Sequence, residues 1–114
     1  MRFLTQYSPI NPLTGAPSPE MQAGMGAFMK QSVEAGVLVA TGMVMPSAHN
    51  GMRMTLANGA FDVESGSSSA ARQGGWAILD VASLDHLQAV VRQFLEVAGD
   101  GEVQVIEIMQ VPLS

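Results

Sequence analysis

The sequence predicts an α+β domain with two helices and an antiparallel sheet. Two stretches carry apolar residues at helical spacing, and each opens on a serine placed as an N-cap, Ser18 and Ser83. Short apolar runs lie before, between and after them, and one pair of runs flanks Asn58-Gly59, the dipeptide a tight hairpin favours. A length of 114 residues suits one core, so residues 1–114 read as a single domain.

Arg2 to Tyr7 form an apolar and aromatic run that gives way to a Pro/Gly-rich stretch, Ser8 to Pro19, and so read as a strand followed by a loop. Ser18-Pro19-Glu20 starts a helix, with proline at the position where its missing N–H costs nothing and a carboxylate at the positive helix end. Met21, Met25, Phe28, Met29 and Val33 make one helical stripe, and Gly36 stands where a glycine ends a helix, giving a span of about 19–35. Val37 to Met45, rich in Val and Met and stopped by Pro46, reads as a strand buried on both faces, followed by a turn over Ser47 to Gly51. Met52, Met54 and Leu56 alternate with Arg53 and Thr55 as a half-exposed strand, and Ala60 to Glu64 return antiparallel across the turn. Ser65 to Gln73 is a small polar loop, and Gly74 to Val81 is the next strand. Ser83-Leu84-Asp85 repeats the cap, while Leu84, Leu87, Val91, Phe94, Leu95 and Ala98 mark a second amphipathic helix closed by Gly99. Val103 to Val111 is the last strand. The order β-α-β, hairpin, β-α-β matches a ferredoxin-like split β-α-β arrangement with an inserted hairpin, in which two helices cover one face of an antiparallel sheet.

Hydrophobic residues make up 47% of the chain and charged residues only 13%, about half of the roughly 25% usual in globular domains. The excess apolar area is expected in a subunit interface or a ligand cavity, which predicts an oligomer. The net charge of −5, with only Arg2, Lys30, Arg53, Arg72 and Arg92 as cations, leaves no basic stripe for phosphates and argues against nucleic acid as a partner. The absence of cysteine excludes disulfides, thiolate metal sites and cysteine nucleophiles and suits a reducing compartment. The longest apolar stretch, Ala35 to Pro46, is broken by Gly36, Thr41 and Gly42 and falls short of the ~20 residues of a membrane span. Phe3 and Leu4 give way at once to Thr5, Gln6 and Tyr7, unlike a signal peptide, so a cytoplasmic location is expected.

His49, in the turn near Asn50 and Arg53, is the histidine a loop could present to a pocket, against the plainer reading of a solvated turn residue. His86 falls off the apolar stripe of its helix and reads as solvent-facing. Asp62 and Glu64 share one strand face, and Glu64, beside the Gly/Ser loop, is the candidate acid or base; the alternative is a solvated hairpin edge. Glu107 shares a face with Val103, Val105, Met109 and Val111, where an unpaired carboxylate is costly to bury. That position predicts an ion pair with Arg53 or Arg2 across a dimer, or a general base. Tyr7 and Trp76 lie near loop mouths, where they would line a small-molecule site, with core packing the equal alternative for Trp76. The nine methionines are mostly core, but Met43, Met45, Trp76 and Phe61 would bound an adaptable pocket for a flat hydrophobic ligand. Gly66-Ser67-Ser68-Ser69 lacks the lysine-bearing pattern of a phosphate loop, and two separated histidines with scattered carboxylates give no metal-ligand spacing. No metal and no cofactor are expected.

Ser18-Pro19-Glu20, then Ala35-Gly36-Val37-Leu38-Val39-Ala40, then Gly74-Gly75-Trp76-Ala77-Ile78-Leu79-Asp80-Val81, and finally the strand from Glu102 to Met109, resemble in order and spacing the segments of YCII-related, DGPF-type proteins. The resemblance implies a homodimer, a dimeric α+β barrel whose two sheets pack face to face with a pocket on each. The chain departs from the family where chemistry resides. Val63 to Ser69 replace the Asp-Gly-Pro-Phe run and its acidic followers, Gly42-Met43-Val44-Met45 stand where polar residues are common, Ile106 stands where an arginine is frequent, and no N-terminal histidine is present. Two functions follow as expectations. One is a cofactor-free lyase or isomerase acting on a small aromatic or lactone-like compound through His49, Arg53 and Glu64. The other is a non-catalytic dimeric ligand-binding or scaffold module. Convergence of His49, Glu64 and Glu107 on one enclosed cavity would separate them.

Overall fold

The computed structural model describes residues 1–9, 18–44, 52–65, 74–109 and 111–113. Its elements are β1 (Arg2–Pro9), α1 (Pro19–Glu34), β2 (Leu38–Val44), β3 (Met52–Ala57), β4 (Ala60–Ser65), β5 (Gly74–Asp80), α2 (Leu84–Ala98) and β6 (Gly101–Ile108). The chain is thus α+β, with a four-stranded antiparallel sheet in the order β2-β5-β1-β6 and a separate hairpin, β3-β4. This order and the two intervening helices are compatible with a ferredoxin-like arrangement.

Both helices begin as their caps dictate. The Ser18 hydroxyl accepts from the Met21 N–H at 3.1 Å, and α1 ends at Ala35 and Gly36, the latter at φ +74°. At α2 the Ser83 hydroxyl accepts from the His86 N–H at 3.1 Å, while His86 Nδ1 accepts from the Ala82 N–H at 3.2 Å. His86, expected to face solvent, is half-buried and takes part in the helix start, accepting from the residue before the N-cap. Ser83→Ala is expected to lower the unfolding free energy by ~1 kcal/mol, read from the urea midpoint, and Ser83→Asp to restore most of it.

The register divides the sheet into two faces. Phe3, Thr5 and Tyr7 of β1 lie level with Leu79 and Ala77 of β5 and with Glu107, Val105 and Val103 of β6, and this face carries the helices. Its core is small: Phe3, Val37, Leu79, Val81 and Leu87 are buried, with Leu38, Ala77, Val90 and Val91 packed around them. All of these gather toward the Phe3 end of β1. Thr5 and Ser32, the buried polar residues, are satisfied by donating to the carbonyls of Ala77 and Phe28 at 3.0 and 2.8 Å. The opposite face carries the row Ala40–Ile78–Leu4–Ile106 and, beside it, Gly42–Trp76–Gln6–Gln104. A Cβ on Gly42 would stand 2.7 Å from the Trp76 indole nitrogen, so the absence of a side chain there lets the indole lie flat on β2. Neither described helix covers this second face.

One expectation is corrected. β2 is not buried on both faces: in the described sheet it is an edge strand bonded to β5, its residues alternate between half-buried and exposed, and an irregularity at Val39 breaks its register. Its apolar composition resembles that of a central strand, but the order of the described strands puts it at the edge. Glu107 shares the helix-covered face with Phe3 on β6, the other edge of the described sheet, and its side chain is exposed in the single chain. Within the chain Arg2 reaches Asp80, Nε to Oδ2 3.8 Å.

The β3-β4 hairpin turns on Asn58 and Gly59, at φ +52° and +80°, as a turn with two left-handed residues requires. Cross-strand register places Met54 opposite Val63 and Leu56 opposite Phe61 on one face, and Arg53 opposite Glu64 and Thr55 opposite Asp62 on the other. The sequence predicts a half-exposed hairpin; residues 52–64 are exposed on both faces instead. The chain's accessible surface of 8322 Å² exceeds the roughly 6,000 Å² of a compact monomer of this mass. Its radius of gyration is 16.6 Å against the roughly 13 Å of a compact domain.

Candidate functional site

Away from the Phe3 end, the helices and the sheet part. A groove of about 580 Å³ opens where the Tyr7 end of β1 meets α1, β2 and the start of β5. Its outer wall is α1, which presents Met21, Met25 and Met29 at four-residue intervals; the floor is Thr41, Met43, Gly74 and Gly75, and Phe94 of α2 closes the inner end. A smaller cavity of about 90 Å³ continues inward under both helices, sharing Tyr7, Met25, Met29 and Phe94 with the groove. The sequence forms the opening because α1 is lightly anchored. Its buried residue is Ser32, Met29 and Val33 remain 37% and 58% exposed, and glycine at position 24 brings the helix close to Val97 of α2.

Polar groups on this surface are few and engaged. The Tyr7 hydroxyl donates to the Gly99 carbonyl at 3.3 Å, and its ring meets Phe94 edge-on at 5.1 Å and 81°. Burial, aided by the Asp100 carboxylate, raises the Tyr7 phenol above its ordinary pKa of 10.0, so it stays protonated and uncharged across the neutral range. The Thr41 hydroxyl donates to the Trp76 carbonyl at 2.8 Å. Among the described residues, neither the groove nor the cavity is lined by a carboxylate, a histidine or a cation, and no cluster of His, Cys, Asp or Glu could hold a metal. The arrangement can desolvate and hold an apolar molecule. Among the described lining residues, Tyr7 is the one ionisable side chain.

Of the site residues expected from sequence, Tyr7 and Met43 line the groove. Trp76 borders the small cavity, but its indole lies over Gly42 on the opposite sheet face. Phe61, 67% exposed, belongs to the hairpin and not to the groove. Arg53 and Glu64 face each other across the hairpin, and Glu107 lies on the far edge strand. His49 and Met45 lie outside the described residues. Within one chain, Glu64 and Glu107 thus do not converge on one cavity. Sequence reasoning placed Met21, Met25, Met29 and Phe94 in the core stripes of the helices. Their spacing gave the face correctly but could not show that the sheet beneath it ends in two glycines, Gly74 and Gly75, leaving the space above them unfilled. No described helix is long and apolar enough to cross a membrane. A scan against protein-family models gives no match for this chain, and a search of curated proteins gives none either.

Proposed function

We propose that the chain is a non-catalytic, homodimeric module that binds a small hydrophobic ligand in the methionine-lined groove. The observation that carries this reading is the groove's chemistry: a volume in the range of roughly 300–1,000 Å³ typical of small-molecule sites, with methionines for walls and no ionisable side chain among its described lining apart from the uncharged Tyr7. Methionine is flexible and polarisable, so such walls adapt to flat aromatic shapes. The dimer is supported by the low charge, the excess surface and the uncovered sheet face. In this reading the fold is a ferredoxin-like member of the dimeric α+β barrels, and the YCII, DGPF-type resemblance is one of structure from which the polar signature has been lost. The lyase or isomerase reading ranks second, because its residues Arg53 and Glu64 stand on a projecting hairpin away from the groove.

Titration with N-phenyl-1-naphthylamine, a flat uncharged fluorophore, tests it. Saturable binding below millimolar concentration is expected. Met25→Glu should weaken it at least ~10-fold, by placing an unpaired carboxylate in the groove, whereas Arg53→Ala and Glu64→Gln should leave it unchanged. Absence of saturable binding, or loss of binding in the two hairpin variants, would overturn the proposal.

A further inference from the structure

The inner cavity is the deeper of the two spaces. Thr5, Ser32 and Leu79 in its wall are buried, and it runs beneath both helices to Val90 and Val91, which pack against the core. Tyr7, Met25, Met29, Thr41, Gly75 and Phe94 line the cavity and the groove alike, so the two spaces share one wall. Part of that wall can move. Met25 and Met29 are unbranched thioether chains on the lightly anchored α1, and neither is buried, so rotation about their side-chain bonds opens a way from groove to cavity. The hydroxyls in the cavity wall, on Thr5, Tyr7, Ser32 and Thr41, already donate to the carbonyls of Ala77, Gly99, Phe28 and Trp76. A polar group entering there gives up water and finds no hydroxyl proton in return, a cost that a hydrocarbon does not meet. Size narrows the choice further. An apolar cavity of about 150 Å³ takes one benzene ring. At about 90 Å³ the inner cavity is too small for a ring, and on the same scale it holds roughly four carbons.

We infer that the inner cavity seats a short unbranched alkyl tail. The ligand is then a neutral molecule whose flat ring lies in the groove and whose tail, roughly four carbons long, passes between Met25 and Met29 into the cavity. The inference rests on the ligand groove of the proposed function and narrows the class of molecule that fills it. Each methylene that leaves water for an apolar wall tightens binding about fourfold, and the gain stops where the cavity ends.

Alkylbenzenes from toluene to hexylbenzene, displacing N-phenyl-1-naphthylamine from the protein, give the measurement. Affinity is expected to rise at least ~20-fold from toluene to butylbenzene and less than ~2-fold from butylbenzene to hexylbenzene. In nuclear Overhauser spectra the terminal methyl of butylbenzene should contact the methyls of Val90 and Val91, which line the cavity, and its ring those of Met21 and Met43, which line the groove. Ala77→Leu on β5 and Ser32→Leu on α1 fill the cavity from opposite sides, and each should cut the preference for butylbenzene over toluene at least ~10-fold. If the fluorophore binds but affinity climbs evenly through hexylbenzene, the groove stands and the tail site falls. The same holds if the terminal methyl touches groove residues alone, or if a filled variant keeps the parent's preference. If the parent does not bind the fluorophore, groove and tail site fall together. The parent series and the methyl contacts decide the matter even where a filled variant fails to fold.

Discussion

Gly74→Ala is expected to lower the domain's stability by about 3–5 kcal/mol, a large part of the roughly 5–15 kcal/mol that holds a domain of this size together. Gly74 is buried, begins β5 at φ +154°, and pairs with Val44 of β2. A Cβ built there runs into the backbone carbonyl of Tyr7. Neither partner can easily yield, because Tyr7 is bonded on its other side to Val103 of β6 and its ring is wedged against Phe94. Strain at the left-handed φ and steric overlap with backbone therefore add. Gly75, one residue on, is the control: its Cβ would meet the Gly42 carbonyl at 3.7 Å and Met43 Sδ at 3.9 Å, ordinary contacts. Gly75→Ala should cost about 1 kcal/mol or less. Urea midpoints of the two variants decide the matter; equal midpoints would mean that the approach of β5 to Tyr7 is not the constraint described.

The pair also shows what the amino-acid sequence makes legible. Gly74-Gly75-Trp76 announces the start of a strand, but nothing local says that the first glycine is obligatory and the second is not. That difference is made by a residue 67 positions earlier in the chain. Features set by short-range chemistry were readable. The serine caps, the Gly36 and Gly99 helix ends and the Asn58-Gly59 turn each depend on a few adjacent residues, and the elements fall where those residues place them. Features set by lateral order were not. β2 and β6 have the composition of interior strands, yet both are edges of the described sheet, and this is why the expected double burial of β2 failed. The groove was half legible. Tyr7 is identified by its place at a strand end and Met43 as a deformable methionine bounding an apolar pocket, while the α1 methionines are absorbed into a core stripe, since periodicity identifies a face without saying what lies opposite.

Phe94→Ala is the second large effect, and it links stability to the groove. The Phe94 ring meets Tyr7 edge-on at 5.1 Å and tilts toward Phe28 at 6.2 Å and 55°, and it forms the partition between the small inner cavity and the outer groove. Truncation removes the apolar area and the aromatic contacts together, an expected loss of about 3–4 kcal/mol. It should also merge the two spaces into one deeper apolar pocket that an apolar molecule can fill. Benzene should therefore raise the melting temperature of Phe94→Ala by more than it raises that of the parent, because it restores contacts that only the variant has lost. An equal rise in both would mean that the sheet and helices collapse onto the vacated site. A smaller, faster-recovering loss in Tyr7→Phe, which keeps the ring contact and deletes only the hydroxyl donated to Gly99, would show that the aromatic packing and not the hydrogen bond holds the inner end of the groove.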